Sequence, residues 1–123
     1  MWPSEAFDAN DQRVVKTVDK ILKTNEIAGG IYRYKNDKYD GKIRFGRLVL
    51  GGGGAWPILN FWVSIYFLKV GKRKKALKYF DWVVEKVEDK IPEQIKNNKP
   101  ASAIPLAWSH GMFVIAGKFL SLF

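Results

Sequence analysis

Apolar positions along this chain fall into two kinds of run, one-sided and all-round. Val14, Val15, Val18, Ile21 and Leu22 recur at the spacing of a single helix face with lysines opposite, and Asn10 and Asp11 stand before them as cap residues. This predicts a first helix on an outer surface. Gly29-Gly30 then leads into Ile31-Tyr32-Arg33-Tyr34, a short stretch with strand propensity, and a polar loop runs on to Gly51-Gly52-Gly53-Gly54. Pro57 suits the first turn of a second helix, where Ile58, Leu59, Phe61, Trp62, Val63, Ile65, Tyr66, Phe67 and Leu68 cover nearly the whole circumference. A helix apolar on all sides must be buried. Gly71 ends it, and a third helix sets Ala76, Leu77, Phe80, Val83, Val84 and Val87 on one face, with Lys74, Lys78, Asp81, Glu85 and Lys86 outside. A fourth, carrying Leu106, Ala107, Met112, Phe113, Val114, Ile115, Ala116, Phe119 and Leu120, is again apolar almost all round.

The order outer, inner, outer, inner is that of two hairpins of an α/α toroid, in which one helix of each pair joins an inner ring and the other an outer ring. A plain four-helix bundle would show four similar one-sided helices. The predicted class is therefore all-α, a partial toroid of about four main helices. Two all-round apolar helices cannot both be wrapped by two partners. The pattern thus predicts cover from outside the chain, by self-association or by a missing N-terminal portion.

Composition narrows the classes. The 123 residues suffice for one domain, here 1–123, and the 47% hydrophobic content with five tryptophans excludes disorder. With no cysteine, disulfides, thiolate metal sites and thiol nucleophiles drop out, which leans toward a reducing, cytoplasmic setting. Met1 to Asp8 lacks the basic flank, apolar stretch and cleavage site of a secretory signal. Apolar runs at 58–68 and 106–122 are broken by Asn60, Ser64, Ser109, His110 and Lys118, so no membrane span is predicted. The formal charge of +9 comes from one local run, Lys72-Arg73-Lys74-Lys75, and from lysines scattered among acids. That is the pattern of a solvated face rather than of a nucleic-acid interface.

Candidate chemistry concentrates late in the chain. Ile91-Pro92-Glu93-Gln94 is followed by Pro105-Leu106-Ala107-Trp108-Ser109-His110-Gly111, which places one carboxylate beside aromatic and polar groups suited to a sugar ring. On residues alone, Glu93 also reads as a solvated loop acid, Arg33 as the partner of Asp37, and Trp56 and Trp108 as core aromatics. Ser109 and His110 do not form a nucleophilic pair, because adjacent helical residues point in different directions and no strand-turn context surrounds the serine. A lone histidine has no second nitrogen or sulfur ligand, so no metal site is expected, and no cofactor is implied.

Trp2-Pro3 with Phe7-Asp8 and Asp11, Gly29-Gly30-Ile31-Tyr32-Arg33-Tyr34 with Asp37 and Tyr39, Gly54-Ala55-Trp56-Pro57, Pro92-Glu93-Gln94, and Pro105-Leu106-Ala107-Trp108-Ser109-His110 occur in this order. Together they resemble the C-terminal third of the catalytic domain of glycoside hydrolase family fifteen, which includes glucoamylases, glucodextranases and some trehalases. The resemblance implies a toroid of six helical hairpins with a pocket at one end of the inner ring. It implies release of glucose with inversion, by a general acid in the middle of the domain and a general base near its end. Glu93 matches the base. Arg33 matches the family's substrate-binding arginine, and the resemblance extends the substrate-binding set to Tyr34, Trp56, Trp108 and His110, the last either on the pocket wall or hydrogen-bonded within the inner ring.

Two departures stand out. Residues 40–50 are inserted ahead of the glycines, with an alternation that suggests a small hairpin or lid. The segment in which the family keeps its general acid has no counterpart here, and Glu85 and Glu88, on an outer helix, cannot replace it. Three functional classes follow: a fragment or subunit of a glucoamylase-like hydrolase acting on an α-glucoside, a non-catalytic sugar-binding remnant, and a helical interaction module. The first is the leading expectation, with the choice among α-1,4, α-1,6 and α,α-1,1 linkages left open.

Overall fold

A computed structural model describes residues 6–39, 42–44, 47–49 and 53–123. The opening Trp2-Pro3 of the family-like pattern and the first two glycines of the four-glycine run lie outside the described residues. Helix α1, Gln12–Asn25, starts where the cap signal placed it: Asp11 Oδ1 accepts the Arg13 backbone N–H at 2.8 Å. It buries Val14 and Val18 and turns its lysines to solvent, the predicted one-sided helix.

Strands β1, Glu26–Ile27, and β2, Gly30–Ile31, form a minimal antiparallel hairpin. The predicted strand through Tyr34 stops at Ile31. The reason is Asn25, whose amide Nδ2 donates to the carbonyls of both Tyr32 and Arg33 and bends the chain off the extended path. Strands β3, Lys42–Arg44, and β4, Arg47–Val49, pair antiparallel, so the inserted segment does form the expected hairpin.

Helix α2, Pro57–Lys69, is buried around most of its circumference, at Ile58, Asn60, Phe61, Val63, Ser64, Ile65, Tyr66 and Phe67. Helix α3, Arg73–Val84, packs against it through one face, Ala76, Tyr79, Phe80 and Val83. It ends at Val84 rather than continuing to Val87, since its last turn tightens, with the Lys86 N–H donating to the Val83 carbonyl at 3.0 Å. Strands β5, Gln94–Lys96, and β6, Lys99–Ala101, make a third hairpin that the sequence pattern did not announce. Helix α4, Ala107–Phe119, closes the structure on the other side of α2.

Where the three helices meet, Phe61, Phe80 and Phe113 form a triangle with centroids 5.4 to 6.1 Å apart. Each ring of this kind contributes roughly 2–3 kcal/mol by leaving water. Inner helix α4 is only half covered: Ser109, Met112 and Ala116 are buried, whereas Trp108, Val114 and Phe119 face outward. That is the uncovered apolar surface expected of an inner-ring helix seen without its next neighbour. The alternation outer, inner, outer, inner is therefore that of a segment of an α/α toroid. Among the described residues, no helix is long and apolar enough to cross a membrane.

Candidate active site

Segments far apart in sequence are stitched into one patch by backbone hydrogen bonds. The Trp56 N–H donates to the Ile31 carbonyl at 2.8 Å, while the Ile31 N–H donates to the Asn60 side chain at 2.8 Å. Ala55 and Ile95 exchange backbone bonds of 2.9 and 2.8 Å. Gln94, fully buried, accepts the Gly54 N–H at 2.9 Å and donates to the Tyr39 carbonyl at 3.1 Å. Glycine is required for this closeness: a Cβ on Gly54 would stand 2.7 Å from the Ile95 carbonyl oxygen, and one on Gly53 2.7 Å from that of Asp37. The loops carrying Arg33, Trp56 and Glu93 are thus bound to one another.

Arg33 sits in this patch as part of a cluster rather than as a lone cation. Its Nε and Nη2 donate to the two carboxylate oxygens of Asp37 at 2.7 and 2.9 Å. The guanidinium also lies over the rings of Tyr39 at 4.6 Å, Trp56 at 4.7 Å and Tyr34 at 5.4 Å. The two-point bond fixes the plane of the fork and leaves Nη1 for other acceptors. The Asp37 carboxyl is held below the usual carboxylate range, first by the Arg33 hydrogen bond and further by the Tyr39 backbone N–H, against the opposing effect of burial. Because the folded value is depressed, this contribution to stability is complete above the unfolded value of about 3.9 and is lost as pH falls through the folded value. Acid unfolding below about pH 4 should therefore lose part of its pH dependence in Asp37→Asn. Asp11, lowered to about 2 by Arg13, also titrates in acid on the exposed surface, so the difference between wild type and variant isolates Asp37.

Glu93 is held by the third hairpin. Asn97 and Asn98 both adopt positive φ, 52° and 58°, giving the two-residue turn that matches strand twist. The register that pairs Gln94 with Ala101 sets Glu93 across from Ser102, where the Ser102 hydroxyl donates to Glu93 Oε2 and the Glu93 N–H donates to the Ala103 carbonyl at 2.8 Å. From below, helix α4 anchors the same loop. Ser109 Oγ donates to the Pro92 carbonyl at 2.9 Å, and His110 Nε2 accepts the Ile91 N–H at 3.2 Å. With Nε2 accepting, the proton is on Nδ1, which lies 3.0 Å from the Leu106 carbonyl. Both ring nitrogens of His110 thus have backbone partners.

The tryptophans differ in setting. Trp56 is 8% exposed and its indole Nε1, like that of Trp62, has no hydrogen-bond partner. Trp108 is 55% exposed and meets Trp62 edge-on at 6.0 Å. Arg33, Tyr34 and Trp56 therefore form one cluster with Tyr39, Glu93 is tied to it through Gln94, His110 lies beneath the Glu93 loop, and Trp108 packs on Trp62. Sequence reasoning missed Ser102, Asn60 and the structural task of Gln94. A polar residue inside an otherwise apolar helix was the available signal for Asn60. Among the described residues, no group of three or more metal-ligating side chains occurs.

No protein-family model matches the chain. An uncharacterized glycosyl hydrolase of Methanocaldococcus jannaschii is 35% identical over 131 residues, covering 93% of this chain and 20% of that protein. The isomaltose glucohydrolase of Kribbella flavida is 26% identical, covering 92% of this chain and 30% of its own length. The chain is thus homologous to proteins named as a glycosyl hydrolase and a glucohydrolase. A solved wild-type glycosidase superposes at a TM-score of 0.80 with 22% identity, covering 100% of this chain and 34% of the other. A bacterial glucoamylase solved with acarbose superposes at a TM-score of 0.69 with 22% identity, over 91% of this chain and 18% of the other. The chain spans between 20% and 30% of the length of these two relatives.

Proposed function

We propose that this chain is the C-terminal third of the catalytic domain of an inverting glucoside hydrolase, with Glu93 as its general base. The observation that carries this reading is the hydrogen-bonded connection of the Glu93 loop, through Gln94, to the Arg33 and Trp56 cluster. One carboxylate and one sugar-binding surface belong to the same rigid patch. Glycosidic relatives support the class, and the isomaltose glucohydrolase points to a glucoside such as isomaltose as substrate.

In the mechanism that this geometry supports, water attacks the anomeric carbon while Glu93 takes its proton, and the glycosidic C–O bond breaks toward the leaving sugar. The leaving oxygen receives its proton from a second carboxylic acid outside this chain, on the opposite face of the ring, at the roughly 6.5–9.5 Å separation that leaves room for water. Arg33, oriented by Asp37, offers Nη1 to neighbouring sugar hydroxyls. Trp56, Tyr34 and Trp108 supply flat apolar faces for the C–H side of a pyranose. His110, whose nitrogens both bind backbone, serves by holding the base loop rather than by touching sugar. The helices bearing the acid would cover the outward face of α4 at Val114 and Phe119.

The test is the anomer formed first. Proton NMR of isomaltose and maltose hydrolysis, by the polypeptide or complex uniting this chain with the acid-bearing helices, should show the newly freed glucose as β before mutarotation, while trehalose should give α- and β-glucose in equal amounts. Newly freed α-glucose from isomaltose or maltose, or no hydrolysis of any α-glucoside, would sink the reading.

A further inference from the structure

Helix α4 holds the Glu93 loop partly through a bond that depends on a proton. The Ile91 N–H donates to His110 Nε2 at 3.2 Å, and Nδ1 lies 3.0 Å from the Leu106 carbonyl. A backbone N–H can only donate and a carbonyl can only accept, so both contacts form together only with a neutral ring that carries its proton on Nδ1. A second proton would go to Nε2 and set two N–H donors against each other. The neighbouring bonds do not titrate: Ser109 Oγ donates to the Pro92 carbonyl at 2.9 Å, and the Leu106 N–H donates to the Ile91 carbonyl at 3.0 Å. His110 is half-buried, within reach of protons from solvent. The ionisable side chains on the segments around it are Asp89, Lys90 and Glu93 on the loop, Lys96 and Lys99 on the third hairpin, Lys118 on α4 itself and Lys69 at the end of α2. The ring's own hydrogen-bond partners are both backbone groups, and neither would hold it as a cation.

We propose that His110 is a positioning residue that makes the general-base loop responsive to pH. Neutral, it pins Ile91 two residues before Glu93. Protonated, it releases that bond while Ser109 and Leu106 keep the loop attached, so the loop loosens around Ile91 without leaving α4. Glu93 is then no longer held at one position relative to the Arg33 and Trp56 cluster. This inference rests on the reading of Glu93 as the base. Acid would act on hydrolysis twice, through the ring that holds the loop and through the carboxylate that takes the proton from water. The first effect disappears when position 110 cannot titrate.

The chain has a single histidine, so its ring nitrogens give one set of NMR signals. They should show the Nδ1–H form at about pH 7.5, and the midpoint of ring protonation should coincide with that of shifts in the Ile91 amide. Protection of the Ile91 N–H from exchange, corrected for the intrinsic effect of pH, should fall about tenfold between about pH 7.5 and 5.5, a span that brackets the free imidazole. In His110→Gln, whose amide oxygen can accept from Ile91 without titrating, it should change less than about twofold. An Nε2–H tautomer at neutral pH, or an Ile91 amide indifferent to ring protonation, would overturn the proposal, and wild type alone decides both. In the hydrolysing protein, kcat/KM should fall about threefold to tenfold more over the same span in wild type than in His110→Gln. Coincident pH profiles would also overturn the proposal, by denying the ring any part in hydrolysis. Retained turnover in Glu93→Gln would instead remove the base assignment, and with it the catalytic half of the proposal, while the behaviour of the Ile91 amide would stand.

Discussion

In the proposed hydrolase, Glu93→Gln should lower the rate of glucose release by about a thousandfold or more, near the upper part of the range for loss of a positioned general base. The amide has nearly the shape of the carboxylate, and its carbonyl oxygen can still accept the Ser102 hydroxyl. What it lacks is basicity, so water in the pocket has nowhere to send its proton as it attacks the anomeric carbon. Stability should change little, since Glu93 is only half-buried and its main-chain bond to Ala103 remains. Initial rates on isomaltose, with unfolding curves on the same samples, check both halves. Turnover within tenfold of wild type would sink the assignment.

Asn60→Ala should cost about 3–4 kcal/mol in urea unfolding, one of the larger effects a single substitution can have. Asn60 is fully buried in α2, where its Oδ1 accepts the Ile31 N–H at 2.8 Å and its Nδ2 donates to the Gly29 carbonyl at 2.9 Å. Truncation strands a donor and an acceptor away from water, each at roughly 1–3 kcal/mol. A cavity in place of the amide adds to the cost. Asn60→Asp, which keeps the acceptor for Ile31, separates the two groups by how far its own loss departs from that of Ala. Because Ile31 also accepts the Trp56 N–H, the Ala variant should weaken glucoside binding as well, through the Arg33 and Trp56 cluster. A loss below 1 kcal/mol would show that the Asn60 bonds do not hold the β2 segment.

The helices were legible because their cause is periodic. One-sided spacing named α1 and α3 as outer, all-round apolar runs named α2 and α4 as inner, and Asp11 marked a helix start by local chemistry. What escaped depends on tertiary partners. The β5–β6 hairpin has three-residue strands, one containing Pro100, too short to show alternation, and its only cue was Asn97-Asn98, whose side chains tolerate positive φ. The strand predicted through Tyr34 was cut short by Asn25, a residue seven positions before Tyr32 whose reach no propensity encodes. At the site, the ordered motifs nominated Arg33, Trp56 and Glu93, which the structure brings into one hydrogen-bonded patch, and the pairing of Arg33 with Asp37 was an open alternative on the residues alone. The structure shows the ion pair and the aromatic cluster together, as a cation oriented by one face and offered by another. Ser102 could not be foreseen, because its relevance comes from a register that only the folded hairpin defines.

The tight packing of α2 on α3 also bears on how such proteins can be built and rearranged. Helix α2 packs on both α3 and α4, while α4 keeps a side with Val114 and Phe119 uncovered, much as in a solenoid, where repeats contact only their neighbours. A division of a ring along that uncovered side of α4 leaves the Phe61, Phe80 and Phe113 triangle closed. Cutting between α2 and either neighbour would instead open it. Closed rings of this design can therefore gain, lose or exchange sectors at modest cost. On the proposed reading, the base and the acid then sit in different sectors and can vary independently, provided that the sectors meet again around the sugar.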